Sequence, residues 1–145
     1  MNFVLDKNTL IAACTGVSPN SGQVDVSSLT LMGQIIVICH RFVVTKEIEV
    51  DYIRIFDEIK AGMQSPAIIM GSKFYFYAKE LGKVDDNRIS SQLPLLQDEI
   101  GIKDEDKPFA RLAIASNSTL VTYDGPLRRK LGNRAQEPSV VLQGL

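Results

Sequence analysis

Carboxylates are the residues in this chain best placed to do chemistry. Asp6 closes the apolar run Phe3-Val4-Leu5, and Asp124 comes two residues after Val121-Thr122. Apolar runs this short suit strands buried inside a parallel sheet. Open α/β sheets bind ligands beyond the carboxyl ends of their strands, so two parallel strands would set both carboxylates at one edge. Each aspartate also has an ordinary use: Asp6 as a helix cap, Asp124 as a turn residue before Gly125-Pro126. Their convergence is what points to a site.

Two helical segments offer further acids. Asp106, Phe109, Ala110 and Ala113 fall at i, i+3, i+4 and i+7, which puts Asp106 on an inward face. Its plain role is an N-cap ahead of Pro108. After Thr45, the apolar face centres near Ile48, Ile55 and Ile59, and Glu49 and Asp51 each lie about 80° from that centre on opposite flanks. Helical geometry does not choose between them. Three or four gathered aspartates repel one another unless cations offset the charge. Hard oxygen donors select Mg²⁺ or Mn²⁺ over zinc, and no Cys/His set competes. One or two such ions would activate water and stabilise the in-line displacement of a phosphodiester. With His40 the single histidine, a pair of histidines trading protons is excluded.

The elements that must position these acids alternate between strand and helix. Phe3 to Leu5 reads as a strand, Asn8 to Ala13 as a short helix ending near Gly16, and Val17 to Gly22 as a loop. Asp25 or Ser27 caps a helix carrying Leu29, Met32, Ile35, Ile36 and Cys39. Phe42 to Thr45 is a β-branched strand, followed by a helix from Lys46 to Lys60. Ser65-Pro66 starts a helix reaching about Leu81, with the aromatic run Phe74-Tyr75-Phe76-Tyr77. Lys83 to Asn87 reads as a polar turn, and Ile89 to Ile100 as partly helical, broken near Pro94. Asp106 to Ser116 is a helix of small residues, Thr119 to Thr122 a strand, Leu127 to Leu131 a basic helix, and Ser139 to Leu142 a final strand. Such alternation predicts one α/β domain over 1–145, with a central parallel sheet flanked by helices.

Composition narrows the partners. Hydrophobic residues at 45% and charged residues at 23% are ordinary for a soluble globular chain. The run Ile35 to Cys39 is too short to span a bilayer. Asp6 and Lys7 interrupt the first apolar stretch too early for a signal peptide, so a cytoplasmic location is expected. Cys14 and Cys39 sit in apolar sequence and are expected to be buried free thiols. A net charge of −1 gives no bulk attraction for a polyanion. Any nucleic acid must be held by metal ions or by a local basic patch. The densest such patch is Arg128, Arg129, Lys130 and Arg134, close after Asp124, which would contact backbone phosphates without reading sequence.

Taken together, these stretches resemble the PIN-domain ribonucleases. The resemblance rests on Val4-Leu5-Asp6-Lys7-Asn8-Thr9-Leu10-Ile11, on Val43-Val44-Thr45 with Asp51-Tyr52, on Asp106-Lys107-Pro108-Phe109-Ala110-Arg111-Leu112-Ala113, and on Leu120-Val121-Thr122-Tyr123-Asp124. It covers almost the whole chain, in the family's order. It implies a three-layer α/β/α PIN-like fold and Mg²⁺- or Mn²⁺-dependent cleavage of RNA. Asp6, Asp51, Asp106 and Asp124 would be the metal ligands, with Asn8 and Thr122 orienting them or the attacking water. The resemblance favours Asp51 over Glu49, although the family usually carries glutamate there. It also implies homodimerisation and, as in VapC-type members, an antitoxin partner.

Two rivals remain. The run Asp6-Lys7-Asn8-Thr9 is similar to the Asp-x-Asp-x-Thr motif of haloacid-dehalogenase-type phosphatases, but Asn8 cannot serve as the proton-transferring second acid. The other rival is a catalytically weak PIN-like scaffold that binds RNA or protein.

Overall fold

The computed structural model describes residues 1–62, 66–86 and 99–145. Five parallel strands, β1 (Asn2–Leu5), β2 (Arg41–Val44), β3 (Val84–Asp86), β4 (Thr119–Val121) and β5 (Ala135–Gln136), form one sheet in the order β3-β2-β1-β4-β5. Phe3 pairs with Phe42 on one side of β1 and Leu5 with Val121 on the other. Phe3, Val4 and Leu5 are buried, as are Phe42, Val43 and Val44. Burial on both faces explains why these strands read as continuous apolar runs without alternation.

Helices α1 (Lys7–Thr15), α2 (Ser27–Val37), α3 (Lys46–Gly62), α4 (Pro66–Glu80), α5 (Lys107–Ala115), α6 (Gly125–Leu131) and α7 (Pro138–Gln143) flank the sheet. Gly16 ends α1 in the left-handed conformation, at φ 68°, and its N–H returns to the Ala12 carbonyl. Helices α1, α2 and α4 pack on one another, while α5 lies against β1, β2 and β4. The close approach of α1 and α4 depends on Gly71, where an added Cβ would stand 3.0 Å from Cys14 Sγ and 3.1 Å from the Ala13 carbonyl oxygen. On α3, Ile48, Tyr52, Ile55 and Phe56 are buried, so the inward face follows its periodicity.

Three expectations are corrected. The polar turn expected over Lys83 to Asn87 contains β3, an edge strand whose Asp85 pairs with Arg41 across the ladder at 2.8 Å. Charged residues suit an edge, and that disguised the strand as a turn. Ser139 to Leu142 is part of α7, started by Pro138 at a first-turn position, and the last strand is the shorter β5. Helix α2 stops at Val37, which leaves Cys39 exposed whereas Cys14 is buried; both thiols are free. Ser65 and nearly all of the partly helical stretch expected over 89–100 lie outside the described residues. Of the aromatic run, Tyr75 is buried in the core, and Phe76 and Tyr77 are exposed.

Lys83 reaches back to the end of α2. Its Nζ donates to the carbonyls of Ile35, Ile36 and Ile38 at 3.2, 2.5 and 2.6 Å. A single ammonium thus satisfies the Ile35 and Ile36 carbonyls that the helix end leaves open, and shares the Ile38 carbonyl with the His40 N–H at 2.7 Å.

Candidate active site

From β1 the chain's order runs outward through β2 and β3 on one side, and through β4 and β5 on the other. The direction of winding therefore switches between β1 and β4. In open α/β sheets the crevice beyond that switch point is where ligands bind. Asp6 emerges there directly after Leu5, and Asp124 three residues after the paired Val121.

Asp6 is held from several sides. Its N–H donates to the Val121 carbonyl at 3.0 Å, which continues the ladder one residue past β1. Its Oδ1 accepts the N–H groups of Asn8 and Thr9, capping α1, and its Oδ2 accepts the Thr122 hydroxyl. The Thr122 Oγ1 in turn accepts the Asp124 N–H at 3.0 Å. One hydroxyl thus ties the two strand-end acids together. Thr9 adds a second tie across the switch point, donating to the Val121 carbonyl at 2.8 Å. Below them the Tyr52 hydroxyl donates to the carbonyl of Leu5.

Electrostatics mark the same place. Asp6 is 2% exposed. Burial pushes its carboxyl up from 3.8 to about 6 against the hydrogen bonds from Thr122, Asn8 and Thr9, and Asp106 adds to the rise. Asp106 is also raised, first by burial and then by the charges of Asp124 and Glu105, while Lys103 and Lys7 pull it down. It stands at the N-cap position of α5, yet its side chain makes no capping bond, so its carboxylate is not occupied with the helix. Asp124 caps α6 through Leu127 N–H at 2.6 Å and lies 3.7 Å from Lys103 Nζ. Asp6, Asp106 and Asp124 thus form an electrostatically linked trio.

Asp51 stands apart from that trio. Its carboxylate is half exposed and pairs with Arg54 at 3.0 Å. Glu49, on the other flank of α3, accepts the Tyr75 hydroxyl at 3.1 Å and Lys79 Nζ at 2.5 Å. Asn8 contributes its backbone N–H to Asp6, and its side chain is exposed. Among the described residues, no group of three or more His, Cys, Asp or Glu side chains is closed tightly enough to hold a metal ion.

The basic patch divides. Arg128 pairs with Glu137 at 2.6 Å and is half-buried, while Arg129, Lys130 and Arg134 are exposed, Arg134 donating to Asn117 Oδ1 at 3.1 Å. The guanidinium ends of Arg128 and Arg129 fold back toward Gly125, within 3.9 Å and 3.5 Å of where a Cβ would stand there. Both therefore approach the turn that carries Asp124. His40 contacts the N-terminal ammonium at 3.1 Å through Nδ1 and stacks edge-on against Phe3.

Sequence reasoning passed over Thr9, Lys103 and Tyr123. Thr9 lies three residues after Asp6, which places it over the first turn of α1. Lys103 lies three residues before Asp106, and that spacing was its only signal. Tyr123 carries a network from the site to the loop before α2, since its hydroxyl bonds Asp25 at 2.9 Å and Ser28 at 3.0 Å. Asn20 Nδ2 donates to the Tyr123 carbonyl at 3.0 Å.

The parallel sheet with its flanking helices makes this a three-layer α/β/α PIN-like fold. Among solved structures, a chain of the crystal structure of VapBC2 from Rickettsia felis bound to a DNA fragment from their promoter matches over 94% of this chain and 98% of that one, with a TM-score of 0.50 at 17% identity. At that identity the likeness is one of fold. No protein-family model matches the chain, and no curated protein does.

Proposed function

We propose that the chain is a metal-dependent endoribonuclease acting at Asp6, Asp106 and Asp124. The observation that carries this reading is that Asp6 and Asp124 follow the paired strands β1 and β4, while Asp106 is coupled to both, so that burial and then a neighbouring acid hold the Asp6 and Asp106 carboxyls above their ordinary pKa values. The donor set suits a hard divalent cation in kind: carboxylate oxygens, mutually repelling and partly desolvated. The absence of a closed cage among the described residues is compatible with Mg²⁺, which keeps several waters and is completed by one or two carboxylates and substrate phosphates. Mg²⁺ or Mn²⁺ held by these three would supply activation of water and offset the charge of the displaced phosphodiester.

The chain's own residues do the rest. Thr122 fixes Asp6 and, through the Asp124 N–H, the start of α6. Arg128, Arg129, Lys130 and Arg134 supply contacts to flanking phosphates, with Arg128 and Arg129 nearest the Asp124 turn. Asp51 enters through family resemblance and not through contact with the trio.

Cleavage of single-stranded RNA in Mg²⁺ or Mn²⁺, lost in EDTA and in Asp6→Asn and Asp124→Asn, is the expected result. Equal activity in EDTA, or in both variants, refutes the reading. A second reading, an RNA- or protein-binding module without hydrolysis, is favoured by the open arrangement of the acids. Binding of RNA with no metal-dependent turnover would establish it.

The fold likeness to a VapBC2 chain supports a place for this enzyme in a toxin–antitoxin pair, and with it an antitoxin partner and a homodimer. Growth arrest on expression, reversed by the neighbouring small reading frame, is the expected outcome. Harmless expression of active protein rules it out.

A further inference from the structure

The acids at the switch point are flanked by two lysines on separate elements. Lys7 is the first residue of α1, immediately after Asp6. Lys103 belongs to the turn that leads into α5, where its carbonyl accepts the N–H groups of Asp106 at 3.0 Å and Lys107 at 3.2 Å. That turn sets Lys103 three residues from Asp106 and brings its Nζ to 3.7 Å from Asp124 Oδ2. Both ammonium groups act on the Asp106 carboxyl, Lys7 from the start of α1 and Lys103 from the turn before α5. Lys103 is 67% exposed and Lys7 partly so, which leaves both open to a ligand. By contrast Lys107, the next cation along, is engaged with Asp104 at 2.5 Å.

The 3.7 Å approach of Lys103 to a carboxylate is looser than a hydrogen-bonded pair. Its ammonium is near enough to steady the acids and free enough to swing to another anion. An ammonium on a flexible stem makes a point-charge contact with phosphate, without the fork geometry that arginine brings. The overall charge of −1 gives a polyanion no general attraction, so local cations at the cleavage point carry that task.

We propose that Lys7 and Lys103 form a two-point clamp for the RNA phosphates beside the scissile bond, one reaching from the start of α1 and the other from the turn before α5. The clamp rests on the ribonuclease reading for its substrate, and its test does not need turnover.

The test uses the full chain in EDTA, binding a fluorescently labelled single-stranded RNA across a series of salt concentrations. The slope of log affinity against log salt should fall by about 0.7 for each lysine removed. Lys7→Met and Lys103→Met should each show that fall, the double variant about twice as much, and Lys103→Arg none. Lys60→Met, in the last turn of α3, should keep the wild-type slope. Should Lys103→Met fold poorly, the exposed position allows Lys103→Gln to carry the same reading. Unchanged slopes in both lysine variants, or an equal fall in Lys60→Met, overturn the clamp. Absence of salt-dependent binding by the wild-type chain overturns it too. If the slopes change as expected while no metal ion supports cleavage, the clamp stands and the hydrolytic reading fails.

Discussion

Replacing Asp6 with asparagine should make the protein more stable at neutral pH while abolishing its activity. The carboxyl is nearly inaccessible, and burial raises it from 3.8 to about 6. A folded-state value above the unfolded one means that the folded chain holds the proton more tightly. The stability contributed by that proton is complete below about pH 3.8 and is lost as pH rises through about 6. Across that window the loss amounts to about 3 kcal/mol. Asparagine keeps an oxygen for the N–H groups of Asn8 and Thr9, and its amide can donate to Thr122 Oγ1. It therefore stands in for the protonated acid. In EDTA at pH 7.5, Asp6→Asn should melt roughly 5–10 °C above the wild type. At pH 4.5 most of the penalty has disappeared and the gap should shrink to about 1 kcal/mol. Adding Mg²⁺ at pH 7.5 should raise the wild-type midpoint and leave the variant unmoved. A variant that melts at or below the wild type at pH 7.5, or a gap independent of pH, would refute the claim that Asp6 is held at an energetic cost.

Other perturbations read neighbouring parts of the design. Thr122→Val removes the hydroxyl that lowers the Asp6 carboxyl and accepts the Asp124 N–H, so it should cost about 2 kcal/mol in urea unfolding and move the acid limb of the pH–rate profile upward. Gly71→Val should destabilise by about 2 kcal/mol, because its side chain meets Cys14 and the Ala13 backbone; a neutral result in thermal melts would mean that α1 and α4 can separate cheaply. Lys83→Met strips the shared donor from the Ile35 and Ile36 carbonyls, while Ile38 keeps the His40 N–H, and should cost about 2 kcal/mol, with faster amide exchange confined to the last turn of α2.

How much was legible in the sequence depended on whether a signal was local. Asp6 and Asp124 could be found because each closes a short apolar strand, and those strands are buried on both faces. Lys83 to Asp86 could not be read as a strand, because an edge position tolerates charges that mimic a turn. Ser139 to Leu142 carried an apolar run that fits helix and strand alike, and only Pro138 gave the answer. The ties made by Thr9 and Tyr52 had no periodicity to announce them, since each joins residues far apart in the chain, and Thr122 was named beside the acids only through the family resemblance. For α3, the wheel placed Glu49 and Asp51 on opposite flanks, and the structure shows each occupied with a basic residue.

The pairing of β1 with β4 has a consequence in time as well as space. The bond between Asp6 and Thr122 joins residues 116 apart, and every neighbour of Asp6 across the switch point belongs to the last quarter of the chain. A contact that distant forms late, after the intervening loop has been closed. While the chain is being made from its N-terminus, Asp6 precedes Asp106 by 100 residues, and the trio is complete only when residue 124 has been added. A growing chain therefore carries half a site and no competent one, and any fragment ending before β4 stays in that state. Whatever the protein does at the ends of β1 and β4, it begins doing it only once both strands have been made and paired.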